Sequence, residues 1–110
     1  DDEQKESFVF SSAVVLNLAA DALHNFTDGF TIGASYAAFS NNSNDNNNWI
    51  DMISSRGGLA TLSVLFHEIP HELGDYAILI GAGMSKYQAI LAQFVTALAA
   101  MVGTIIGLWL

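Results

Sequence analysis

Residues 59–82 read LATLSVLFHEIPHELGDYAILIGA, and this stretch decides what kind of fold the chain can have. Its length is 24 residues, and Leu, Ile, Ala, Val and Phe dominate both ends. A bilayer's hydrocarbon core of about 30 Å takes roughly 20 apolar residues as helix, so the stretch is long enough to cross one. Yet two histidines, two glutamates and an aspartate crowd into residues 67–75, with no lysine or arginine in the stretch to pair with them. His67 and His71 stand at i, i+4, and Glu68, Glu72 and Asp75 occupy adjoining rows, so a helix turns this polarity to one side. The periodicity predicts a membrane helix with a reactive stripe.

Two more stretches reach the same length. Residues 8–39 carry ADALHNFTDG, in which Asn17, Asp21, His24, Asn25 and Asp28 follow spacings of 4, 3, 1 and 3 and share a narrow helical face. Residues 87–110, YQAILAQFVTALAAMVGTIIGLWL, contain no charge at all. The expected fold is therefore an all-α membrane protein with three transmembrane helices. Residues 1–7 form a polar segment before the membrane, residues 40–58 a loop, and residues 83–86 a short turn that makes the second and third helices antiparallel neighbours. Six asparagines within residues 41–48 suit turns and cannot build a core. Asn41-Asn42-Ser43 matches a glycosylation sequon, which so Asn-rich a stretch also produces by chance. The charge bias, Lys5 and Lys86 on one side against Arg56 on the other, orients the helices only weakly, with Lys86 inside. GxxxG spacing at Gly29/Gly33 and Gly103/Gly107 offers close helix contact.

Composition excludes several classes. Three basic residues against eleven acidic ones, net charge −8, form no basic patch, so nucleic acid is not a partner. The absence of cysteine rules out disulfides and thiolate metal ligands within the chain. The first residues, DDEQKES, lack both the initiating methionine and the pattern of a signal peptide, and the chain is expected to be an excised segment.

A charged side chain at the centre of a membrane helix costs roughly 2.5–3.5 kcal/mol on insertion scales. Asp21, Asp28, Glu68, Glu72 and Asp75 would together cost on the order of 10–15 kcal/mol if ionised and unpaired. Protons, a bound cation or residues from further helices must compensate them. Imidazole, carboxylate and amide oxygen without thiolate suit zinc and other divalent first-row metals. The plainer reading is a set of hydrogen-bonded polar residues that holds helices together. It accounts poorly for two such clusters on consecutive helices, which between them hold all three histidines. Pro70, the only proline, lies inside the second cluster, where it removes a backbone donor and leaves the Phe66 carbonyl without its usual partner.

Two other patterns fit the letters. HEIPH matches the H-E-x-x-H signature of zinc metalloproteases, but proline within the motif disturbs the aim of both imidazoles, and that chemistry gives no reason for His24, Asn25 and Asp28. Glu68-x-x-His71 matches one element of carboxylate-bridged di-iron bundles, which need a second copy that is absent here.

HNFTDG at 24–29 with HEIPHE at 67–72 resembles the ZIP (Zrt/Irt-like) family of metal transporters, in the branch carrying HNxxDG and HExPHE on consecutive helices. The similarity covers about residues 8–110, and the wording around both motifs is most similar to members of the endoplasmic reticulum and Golgi. The resemblance implies that the three helices are the fourth, fifth and sixth of an eight-helix transporter bundle, with a binuclear metal centre midway through the membrane. It implies one site of His24, Asp28, His67 and His71, and a second of Asn25, Asp28, Glu68 and His71. It further implies a transporter, not an enzyme, that moves a divalent metal into the cytosol. The loop at 40–58 is then extracellular or luminal and the turn at 83–86 cytosolic.

Zinc is the expected substrate, because His67 at the head of HExPHE is typical of zinc-transporting members; manganese or iron is accepted more readily where Glu stands there. No cofactor is expected. Expected partners are the metal ion, the lipid bilayer and the remaining helices of the same transporter, with a homodimer left open. The endoplasmic reticulum or Golgi membrane is favoured over the plasma membrane. Some members have a further acidic ligand in the sixth helix. The third helix here has only Gln93 and Thr96 as inward-capable polar groups, and is expected to be scaffold only. The competing class is a proton-coupled carrier without metal, with Asp28, Glu68 and Asp75 as relay groups.

Overall fold

The computed structural model describes residues 12–42, 51 and 55–110; the polar segment at 1–7, most of the Asn-rich loop and Ser43 of the sequon lie outside the described residues. Three long helices account for nearly all of what is described: α1 (Ser12–Asn42), α2 (Arg56–Gly81) and α3 (Lys86–Trp109). At 1.5 Å per residue they measure roughly 46, 39 and 36 Å, each longer than the bilayer core. The ends of α2 and α3 differ from the expected spans by one to three residues, because apolar length sets a span whereas hydrogen bonding sets a helix end. Ser55 caps α2 by accepting from the Gly58 N–H, which starts that helix three residues before its apolar run. α3 passes by length and composition as a membrane span; α1 and α2, with their polar stripes, do not pass the same test among the described residues.

The α2–α3 turn is built from ordinary capping chemistry. Gly83, at φ 98°, adopts the left-handed conformation just past the helix end, which costs glycine little. The N–H groups of Gly83 and Met84 then return to the carbonyls of Ile80 and Leu79, satisfying two of the last orphan acceptors of α2. Ser85 opens α3 with a reciprocal cap: its hydroxyl accepts from the Gln88 N–H, and the Gln88 side chain accepts from the Ser85 N–H. Pro70 sits inside α2, which continues through it.

The closest pair is α1 and α3, not the sequence neighbours α2 and α3. The reason is glycine on both sides of one crossing. A Cβ on Gly29 or Gly33 would collide with the carbonyl of Ala100 or Thr104, and one on Gly103 or Gly107 with the carbonyl of Phe26 or Phe30. Both GxxxG pairs therefore face each other, and the rising numbers on both partners make α1 and α3 parallel. α2 runs antiparallel to both. It approaches α1 closely near its own start, where a Cβ on Gly57 would strike the Tyr36 ring. At its other end Leu79, fully buried, packs with Val14 and Ala89, with Leu18, Tyr76 and Met84 around them. The start of α1 and the α2–α3 turn therefore share one end of the bundle.

That small cluster is the whole buried apolar core among the described residues. Leu23, Leu62, Phe66, Leu73, Phe94, Met101, Ile105 and many other large apolar side chains point outward instead. A water-soluble domain keeps such residues inside. Here the inside is polar: Asp21, Asn25, Asp75 and Thr96 are buried.

Candidate metal centre

α1 and α2 turn their polar stripes toward each other. His24 and Asp28, one turn apart on α1, meet His67 and Glu68 on α2, and one ligand atom from each lies within 4.8 Å of all the others. His24 Nε2 is 3.3 Å from Asp28 Oδ2 and 3.2 Å from Glu68 Oε1. His67 Nε2 is 2.9 Å from the same Asp28 oxygen and 3.6 Å from the same Glu68 oxygen. A tetrahedral zinc with bonds of about 2.0–2.2 Å holds its ligand atoms roughly 3.3–3.6 Å apart, so the spacing suits that ion.

Proton accounting points the same way. His67 Nδ1 lies 2.8 Å from the Ser63 carbonyl, which can only accept, so Nδ1 carries the hydrogen. In a neutral imidazole Nε2 then presents a lone pair, and it presents it to the Asp28 carboxylate at 2.9 Å. Two acceptors do not face each other stably at that distance; a cation or a further proton belongs between them. His24 Nε2 and Glu68 Oε1 are buried and face each other at 3.2 Å without a hydrogen bond, as two ligand atoms of one ion do.

The other two residues singled out by sequence lie just beyond. The His71 ring is 4.8 Å from the His24 ring, yet its Nδ1 turns to Asp75 Oδ2 at 3.4 Å and to Asp21 Oδ1 at 3.9 Å. Asn25 is 3% exposed and donates to Asp21 Oδ1 at 3.3 Å. The structure thus brings His24, Asp28, His67 and Glu68 into one group, and places His71 and Asn25 with Asp21 on the adjacent turn.

α3 supplies no member of the four-residue group, but it touches the stripe twice. Thr96 Oγ1 donates to Asp21 Oδ2 at 2.5 Å. Gln93 Nε2 donates to the Glu72 carbonyl at 2.7 Å and to Glu72 Oε2 at 2.8 Å. Sequence reasoning gave this helix a scaffold role only; Gln93 and Thr96 hold acids of the other two helices in place.

Comparison with known proteins agrees with the motif reading. A family model described as ZIP Zinc transporter matches residues 1–110. Zinc transporter zipt-7.1 of Caenorhabditis briggsae is 48% identical over 97 residues, 88% of this chain and 21% of that protein. Zinc transporter zipt-7.2 of Caenorhabditis elegans is 48% identical over 94 residues, 86% of this chain and 17% of that protein. Zinc transporter SLC39A7 of Homo sapiens is 43% identical over 108 residues, 94% of this chain and 19% of that protein. The chain thus spans about one fifth of the length of the curated relatives it matches. No solved structure matches it.

Proposed function

The chain belongs to the ZIP zinc transporter family, and on that premise we propose that it forms part of a pathway carrying zinc across a membrane into the cytosol. The family is one of transporters and not of enzymes, which sets aside the metalloprotease reading of HEIPH. The chain is an integral-membrane segment of all-α architecture.

One observation carries the proposal: four ligand atoms from two antiparallel helices converge within 4.8 Å of one another, with imidazole–carboxylate separations of 2.9–3.6 Å around the edge of a tetrahedral zinc site. A doubly positive ion there offsets Asp28 and Glu68 together. It also resolves the acceptor–acceptor contact between His67 and Asp28, which no basic residue does, since Lys5, Arg56 and Lys86 all lie outside the stripe. Zinc enters by exchanging water for imidazole and carboxylate one ligand at a time, and leaves by the reverse. The donors are split between two helices, so a small relative shift of α1 and α2 weakens the site without unfolding either helix. In the binuclear form of the proposal, His24, Asn25, Asp28, His67, Glu68 and His71 serve two ions, with Asp28 and His71 shared. His67 supplies the borderline-soft nitrogen that favours zinc over manganese.

The test is radiozinc uptake by cells expressing the full-length protein. His67→Ala or Asp28→Ala abolishes uptake at wild-type surface and organelle abundance; undiminished uptake in either refutes the centre. Proteoliposome flux under an imposed pH gradient, with and without zinc, separates this reading from a metal-free proton carrier, in which proton flux persists after zinc is chelated.

A further inference from the structure

We propose that Asp21, His71 and Asp75 form a further divalent-cation site, beyond the ions proposed above although it draws on the same His71, and on the side of the α2–α3 turn. The inference rests on the reading that this face carries divalent metal. One ligand atom from each of the three residues lies within 4.8 Å of the other two. On each helix the group stands about five residues from the centre of the first, roughly 8 Å along the axis.

Two buried carboxylates and an imidazole do not by themselves make a site; the state of their atoms does. Asp75 is 8% exposed, and its buried Oδ2, the oxygen nearest His71, has no hydrogen-bond partner. That oxygen faces His71 Nδ1 at 3.4 Å, longer than a good hydrogen bond, so it recovers only part of its lost solvation. Asp21, 3% exposed, is by contrast held rigidly: Asn25 donates to Oδ1 and Thr96 to Oδ2. Donors that hold a carboxylate while leaving it lone pairs to spare are the outer-sphere arrangement of a metal ligand.

His71 links the two groups. Its ring stacks obliquely on that of His24 at 4.8 Å, while its Nδ1 faces Asp75 and Asp21. A cation leaving the first group therefore travels roughly 8 Å along the helices, past the His71 ring, to reach Asp21 and Asp75. The longer His71–Asp21 separation of 3.9 Å exceeds a tetrahedral edge, so the site suits a looser, water-completed coordination. Loose binding is what a release station needs, since conduction fails wherever an ion binds too tightly to leave.

Anomalous diffraction from zinc-soaked crystals of the full-length protein tests the placement directly. A zinc peak between Asp21 and Asp75, besides one between Asp28 and Glu68, is the expected result. A peak only between Asp28 and Glu68 overturns this site and leaves the proposed centre standing. A peak only between Asp21 and Asp75 keeps this site and removes the proposed centre. Absence of density at Asp21 and Asp75 in a crystal that binds no zinc anywhere overturns both. Zinc content after equilibrium dialysis gives a second readout: Asp75→Asn, equal in size and uncharged, lowers it by one ion per chain and keeps the ion that His67→Ala removes. Unchanged content in folded Asp75→Asn and Asp21→Asn proteins refutes the proposal.

Discussion

Asp21 shows how much a single side chain depends on its neighbours in an apolar surrounding. Both of its oxygens have a donor, one from its own helix and one from α3, and the α3 donor is a hydroxyl that looks unremarkable in sequence. Replacing Thr96 by Val keeps the volume and removes that donor, so a buried acceptor loses its partner at a cost of about 1–3 kcal/mol. Thr96→Val is expected to lower the Tm of the detergent-solubilised full-length protein, and Thr96→Ser to leave it near wild type. Equal melting of Val and wild type would mean that Asp21 is held in another way. The same residue marks where sequence reading stops. Spacing alone put Asp21, His24, Asn25 and Asp28 on one face, because a helix obliges residues three and four apart to align. It could not pair His71 with Asp75 rather than with His67, since that choice depends on the rotamers of side chains on two helices. It singled out Thr96 and Gln93 as the inward-capable polar groups of α3, but could not say which acids they would hold. A hydroxyl matched to an acid 75 residues away leaves no local signal.

At the scale of the helices, the crossing of α1 and α3 places the acids. Four glycines let the two backbones touch, which brings Thr96 within reach of Asp21 on the turns below. The GxxxG spacing was legible in each helix separately, but spacing names no partner. The short turn at 83–86 made α2 and α3 antiparallel neighbours, but it is the glycine-lined surfaces of α1 and α3 that pack most closely. A contrast within the chain tests this account. Gly29→Ala drives a Cβ into the Ala100 carbonyl, while a Cβ on Gly74 meets nothing within 4 Å. Gly29→Ala, and Gly103→Ala on the facing helix, should reduce the yield of folded full-length protein several-fold. Gly74→Ala should match or slightly exceed wild type, because alanine favours helix by about 1 kcal/mol over glycine. Size-exclusion profiles of the fluorescently tagged variants report the difference; equal loss at all three positions would show that these glycines are not packing residues.

For the molecule as a whole, the arrangement is inverted relative to a soluble domain: acids, amides and imidazoles lie between the helices, and leucine, phenylalanine and isoleucine lie outside. On the proposed function, that outer surface meets lipid and the other helices of the transporter, and the polar seam between α1 and α2 receives the metal. The two ends of the bundle must then face different compartments, because a single pass of each helix separates the loop between α1 and α2 from the turn between α2 and α3. If zinc moves toward the cytosol, with the Asp21–His71–Asp75 group on the exit side, the α2–α3 turn is cytosolic and Asp51 is luminal or extracellular. The chain has no cysteine, so a single introduced thiol at either end reports its side, provided thiols elsewhere in the full-length protein are removed. In cells whose plasma membrane alone is permeabilised, a membrane-impermeant maleimide should label Lys86→Cys and spare Asp51→Cys in protein resident in the endoplasmic reticulum or Golgi. Dissolving the internal membranes should then expose both. The opposite pattern would put the acid-rich exit group on the luminal side and reverse the direction of transport proposed here, while leaving the metal ligands and their geometry unchanged.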